Sequence, residues 1–161
     1  MANFFNYLEK NQKSFTEDSF NIVDSLILAY LSYLHFPSTK TKLKDLSVLK
    51  SAKTKKNKEL IKRIIASNRY KDIELCFYIE DTNDLIEKQF SAVTFLLPDN
   101  TMYISFRGTD STLTGWKEDF NMSFMLPVPA QKEALNYVEK ITKLIPRKFY
   151  IGGHSKGGNL A

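Results

Sequence analysis

Phe149-Tyr150-Ile151-Gly152-Gly153-His154-Ser155-Lys156-Gly157-Gly158-Asn159-Leu160-Ala161 is the stretch that decides the fold. A short apolar run leads into Gly153-His154-Ser155-Lys156-Gly157, which fits G-x-S-x-G, the sharp strand-to-helix turn that lifts a nucleophilic serine clear of a sheet. A serine in such a turn takes a strained backbone conformation. Glycines two residues to either side let strand and helix pass closely with no Cβ in the way. In folds built on this turn, the acid and the histidine that activate the serine come later in the chain. Only six residues follow Ser155. The sequence therefore presents a nucleophile without the groups that would activate it.

Working outward, Leu135, Val138, Ile141 and Ile145 repeat at helical spacing and predict a helix from about Ala130 to Leu144, closed by Pro146. A shorter helix is expected around Gly115 to Asn121. Ile73–Ile79, Phe90–Leu97 and Thr101–Phe106 are rich in strand formers. Asp81-Thr82-Asn83-Asp84 and Pro98-Asp99-Asn100 read as the turns between them, which makes these strands antiparallel neighbours. The longer strand–helix–strand connection into Phe149 predicts a parallel, right-handed crossover.

Before residue 70 the pattern is helical. Ser14-Phe15-Thr16-Glu17 has the form of a capping box. Phe20, Val23, Ile27, Tyr30, Leu31 and Leu34 follow on one face, predicting a helix from Thr16 to Leu34 that ends ahead of Pro37. A weaker helix is expected over Phe4–Glu9 and a short one around Leu43, Leu46, Val48 and Leu49. Leu60, Ile61, Ile64 and Ile65 predict another that ends near Asn68. The expected fold class is α/β, with a helical region over residues 1–70 and a sheet-bearing region over 71–161.

Composition narrows the function classes. Hydrophobic residues at 43% are enough for a core and too many for a disordered chain. Ser25–Phe36 is too short and too polar to span a bilayer, and Met1–Glu9 lacks the pattern of a secretory leader, so a cytoplasmic protein is expected. One cysteine, Cys76, rules out an internal disulfide and offers no zinc or thioredoxin spacing. Neither metal nor cofactor is expected. The net charge of +5 is uneven: Lys40–Lys71 carries 12 Lys/Arg against two acids, and the remainder 11 against 16. Such a block can meet an anionic membrane surface, but it lacks the interleaved aromatics and motifs of a nucleic-acid binder. A solvated lysine-rich helix face is the plainer account of it. A phosphate-binding loop between Gly152 and Gly157 fails, because Gly158 and Asn159 stand where Lys and Ser/Thr are required.

Taken together, Ser105-Phe106-Arg107-Gly108-Thr109, then Trp116 and Asp119, then Gly153-His154-Ser155-Lys156-Gly157-Gly158, resemble the class 3 lipases of the α/β-hydrolase fold. Phe20–Tyr33 resembles a related group of hydrolase-like proteins from low-GC Gram-positive bacteria. The resemblance implies an incomplete α/β-hydrolase sheet, an antiparallel hairpin leading into parallel strands. It makes Ser155 the nucleophile and puts the oxyanion hole at the backbone N–H of Lys156 with the N–H and hydroxyl of Thr109. Gly153, Gly157 and Gly158 would support the turn, and Arg107 would pair with an acid such as Asp119 to hold the oxyanion loop. Trp116 lies in the segment Ser111–Pro129, where lipases carry a lid; packing of Trp116, Phe120 and Phe124 into the core is the commoner use of such aromatics. Lys156 stands where these lipases usually have leucine, which argues against an apolar acyl pocket there.

No base accompanies the serine. His154 should turn away from it, toward the core or in support of the turn, and His35 is expected at a helix end or on the surface. Adjacent Lys156 is no better placed. The expected function is the N-terminal part of a serine hydrolase acting on a small-molecule or lipid ester, idle in this chain because the triad Asp and His are absent. The alternative is a non-catalytic module that self-associates through an open sheet edge or docks on anionic surfaces through its lysines.

Overall fold

Runs of aromatic and β-branched residues build one five-stranded sheet whose strands lie in chain order. The computed structural model describes residues 4–46, 52–110 and 112–161. Strands β1 (Thr41–Lys42), β2 (Glu74–Asn83), β3 (Lys88–Leu96) and β4 (Met102–Phe106) are antiparallel neighbours, and β5 (Phe149–Gly153) joins β4 in parallel. The α/β class and the hairpin leading into a parallel pair are as expected. Among the described residues no strand covers the outer edge of β5.

Among the described residues six helices accompany the sheet: α1 (Phe4–Lys10), α2 (Ile22–Leu31), α3 (Lys55–Ala66), α4 (Leu113–Asn121), α5 (Pro129–Leu144) and α6 (Lys156–Leu160). Strands β3 and β4 are buried almost throughout because helices cover both faces. One core cluster joins Leu8, Ile27, Leu31 and Leu60 of the first three helices to Leu75, Val93, Phe95 and Tyr103 of the sheet. The other packs Ala130, Ala134, Tyr137 and Ile141 of α5 on Phe90, Ile104 and Phe106. No helix among the described residues is long and apolar enough to cross a membrane.

Several boundaries differ from the sequence expectation. Glu17 reaches back to accept from the Ser14 amide, but the Ser14 hydroxyl donates to the same carboxylate instead of accepting from the Glu17 amide, and the segment closes a single turn. The helix starts later, at Asn21, whose side chain accepts from Val23 N and Asp24 N while Asp24 reaches back to Asn21 N. Its delay has a physical cause. The buried Arg69 guanidinium takes the carbonyls of Lys13, Ser14, Asp18 and Ser19, two of which a continuous helix would have spent on its own ladder. The helix also ends early, at Leu31, with the Ser32 hydroxyl donating to Ala29 O and a final tight turn at Tyr33 and Leu34. The short helix expected around Leu43 is one 3₁₀ turn, Leu43–Asp45; Val48 and Leu49 lie outside the described residues.

The β2–β3 turn falls at 84–87 rather than 81–84, because Asp81 is still paired in the strand and takes Lys88 at 2.6 Å. Along α5 the buried face is Ala130, Ala134, Tyr137 and Ile141, and Leu135 is 61% exposed. Two alanines let this helix approach the sheet closely. The Tyr137 hydroxyl then meets Thr94 and the carbonyl of Phe77, which sits at φ 53° in the β2 bulge.

Candidate active site

Three glycines and a serine make the turn between β5 and α6. Ser155 has φ 57° and ψ −127°, outside the regions an L-residue adopts without strain. Amide donation from Gly157 to His154 O at 3.0 Å and from Gly158 to Ser155 O at 2.9 Å closes the turn. Gly157 has to be glycine: a Cβ there would run into the carbonyl oxygen of Phe106 and lie 2.8 Å from its carbon. A Cβ on Gly153 would run into the carbonyl of Gly157 and lie 2.5 Å from that same Phe106 oxygen. Gly158 is not so constrained, its nearest neighbour being 3.4 Å from an added Cβ. This close approach sets the serine beside the loop after β4, where a Cβ on Gly108 would stand 3.2 Å from that of Ser155.

The loop after β4 is held differently from expectation. Arg107 pairs not with Asp119 but with Glu80 at 2.8 Å and Asp110 at 3.5 Å. Asp119 instead accepts the Thr109 hydroxyl proton at 2.6 Å, and its other oxygen is buried with no partner. A hydroxyl that donates to Asp119 has no second proton for an oxyanion. Thr109 can therefore offer its backbone N–H alone.

Lys156 is only 5% exposed. Its ammonium donates to Gln89 O, Gln89 Oε1 and Glu118 Oε2 at 2.9–3.0 Å, so all three protons are used. Glu118, fully buried, also accepts from Gln89 N and Ala130 N. Sequence reasoning missed Glu118, which reads as one more charge on a solvated helix. Lysine in place of the lipase leucine was the one hint that a buried countercharge was needed.

Neither histidine reaches Ser155. His154 lies on the surface, not in the core, with Nδ1 3.0 Å from the Tyr33 hydroxyl. His35 is also on the surface, bonded to Glu80 at 2.6 Å and Tyr78 at 3.1 Å. Burial pushes the Cys76 thiol up to about 11 and so disfavours its thiolate. Among the described residues no group of three His, Cys, Asp or Glu could hold a metal. The aromatics of the lid-like segment are on the surface: Trp116 is 65% exposed, Phe120 70% and Phe124 66%. Glu118 and Gly115 take the inner face of α4 in their place. Ser111 lies outside the described residues.

A Mbeg1-like family model matches residues 64–161. This chain belongs to the Mbeg1-like family. No curated protein and no solved structure matches it. The part of this Mbeg1-like chain that the model matches takes in the whole elbow and the carboxylates around it. Tyr33, which reaches the elbow from the end of α2, lies outside that part.

Four of the cations where the sequence of this Mbeg1-like chain looks most basic have acidic partners among the described residues. Lys40 pairs with Glu74, Lys44 with Asp72, Arg63 with Glu59 and Glu9, and Arg69 with Asp24. Lys56 lies over the Tyr30 ring at 4.5 Å. Around Arg107, burial raises the Glu80 carboxyl, but the hydrogen bonds from Arg107 and Tyr78 and the Arg107 charge outweigh it and leave Glu80 below its usual value of 4.5. A depressed carboxylate contributes stability that is complete above the unfolded value and is lost as pH falls through the folded one. Melting temperature should therefore fall on acidification below 4.5, and fall less steeply in Glu80→Gln. Parallel curves for the two proteins would show that Glu80 does not contribute.

Proposed function

We propose that this chain carries the nucleophile and the oxyanion donors of a serine hydrolase acting on esters, with the base supplied from outside the residues described around Ser155. One observation carries the proposal: Ser155 stands at φ 57° between β5 and α6, directly against the loop Gly108–Thr109. Strain of this kind costs about 1–3 kcal/mol, and it persists where the surroundings over-determine it, as functional sites do. In the proposed reaction Ser155 Oγ gives its proton to a base and attacks the ester carbonyl. The tetrahedral intermediate breaks its bond to the alcohol oxygen, the alcohol leaves with that proton, and water then releases the acid from Ser155. The backbone N–H groups of Lys156 and Thr109 donate hydrogen bonds to the negative charge that develops on the carbonyl oxygen. Each donor of that kind is worth roughly 3 kcal/mol of barrier, or about 100-fold in rate. Each imidazole has its Nδ1 on another side chain, His154 on Tyr33 and His35 on Glu80, and the proposal assigns neither of them the serine proton.

An added base tests this directly. A fluorophosphonate should modify Ser155 slowly on its own and markedly faster with free imidazole in the buffer, with the adduct located by peptide mass spectrometry. Ser155→Ala should take no adduct under either condition. A wild-type protein that stays unmodified at Ser155 in imidazole would sink the proposal.

A further inference from the structure

We propose that Glu118 is a positioning residue for the oxyanion pocket, acting through the Lys156 side chain. This rests on the role given to Ser155 and adds a part that neither the turn motif nor the lipase resemblance contains. Two neighbouring carboxylates on α4 each hold one oxyanion residue. Asp119 takes the Thr109 hydroxyl at 2.6 Å, and Glu118 takes the Lys156 ammonium at 2.9 Å. Successive residues on a helix point about 100° apart, so one helix serves the two sides of the pocket.

Stability alone does not explain the pair. A buried ion pair is often no more stabilising than apolar side chains of the same volume. What this pair does provide is geometry. A lysine stem with four rotatable bonds is fixed at its backbone in the strained turn and at its ammonium by three acceptors. Glu118 in turn is fixed by the amides of Gln89 on β3 and Ala130 at the start of α5. The residue after the nucleophile is thereby tied to the sheet and to two helices. The tie matters because displacing a catalytic group by about 1 Å can cost about 100-fold in rate.

The test uses the 161-residue protein and two variants. Glu118→Gln keeps the size and removes the charge. The double variant Glu118→Leu/Lys156→Leu removes the pair and leaves no unpaired lysine, so it should fold even where the single variant does not. Two quantities are read: the rate of Ser155 fluorophosphonate modification in imidazole, and residue-resolved amide exchange at Gly157 and Gly158, whose N–H groups close the turn. Expected results are a loss of about tenfold or more in modification rate, faster exchange at both glycines in both variants, and unchanged exchange at Ile104 within β4. Wild-type rates in the folded double variant would overturn the proposal, since Glu118 would then only neutralise a buried lysine. If wild-type Ser155 takes no adduct at all, the hydrolase proposal has failed on its own. Exchange at Gly157 and Gly158 still decides the clamp: unchanged values in the double variant refute it.

Discussion

Asp24→Asn and Arg69→Met should each lower the stability of the protein by about 3–5 kcal/mol, the largest effects expected from any single side chain. Both groups are fully buried. The guanidinium meets the carboxylate through two bonds, Nε to Oδ1 at 2.8 Å and Nη2 to Oδ2 at 2.6 Å. Its remaining protons go to backbone carbonyls of the segment before α2, and its face lies 4.1 Å from the centre of the Phe15 ring. Tyr70 completes the group by donating to Asp24, and burial and that carboxylate together push its hydroxyl well above the usual range. Removing either charge strands the other in the core, where desolvation is no longer offset. For a chain of this length the melting temperature should drop by roughly 10 °C or more, read by circular dichroism. The pair also predicts non-additivity: Asp24→Leu combined with Arg69→Met should cost less than the two single changes summed. A loss below about 1 kcal/mol in Asp24→Asn would show that the charge is not what holds these segments.

Gly157→Ala should be the most damaging change at the elbow, while its neighbour Gly158→Ala should be harmless. At position 157 the new methyl group would meet the Phe106 carbonyl and lie 3.0 Å from the backbone carbon of Arg107. Backbone cannot swing aside as a side chain can. Relief requires either α6 to lift off β4 or the Arg107–Thr109 loop to shift. Overpacking of this order costs about 1–3 kcal/mol, and displacing the pocket should slow Ser155 modification by about 100-fold. At position 158 there is room, and alanine is the better helix former by about 1 kcal/mol, so stability should hold or rise. Melting curves and modification rates for both variants check the pair of expectations. Equal behaviour of the two would mean that the elbow is not packed as tightly as its geometry implies.

Much of the architecture was legible in the sequence, for identifiable reasons. Phe90–Leu97 and Thr101–Phe106 are so strongly strand-forming that no competing pattern arises, and the glycines around Ser155 mark the turn through the space they leave. What escaped depends on partners far away in sequence. The start of α2 could not be placed at Asn21 without knowing that Arg69 claims the carbonyls before it. The face of α5 was misjudged because leucine outweighed alanine in the pattern, whereas close approach to the sheet favoured Ala130 and Ala134. Arg107 found Glu80 across the sheet rather than Asp119, because Glu80 lies opposite Ser91, whose carbonyl accepts the Arg107 amide. Within the candidate site, Ser155 was evident from sequence. Glu118 and Tyr33 were not, since each acts through a contact made only in the folded chain.

The parallel pairing of β5 also closes a longer loop than either hairpin does. The β2–β3 and β3–β4 pairs are hairpins that close over short turns. Strand β5 can reach β4 only after the chain has passed through α4 and α5, and the entropy of closing a loop grows with its length. Ser155 cannot be held at its strained dihedrals until that pairing exists, because Gly157 is wedged against the end of β4. The turn at Ser155 therefore depends on a pairing of longer range than either hairpin, and its strained dihedrals belong only to chains in which β5 has docked on β4.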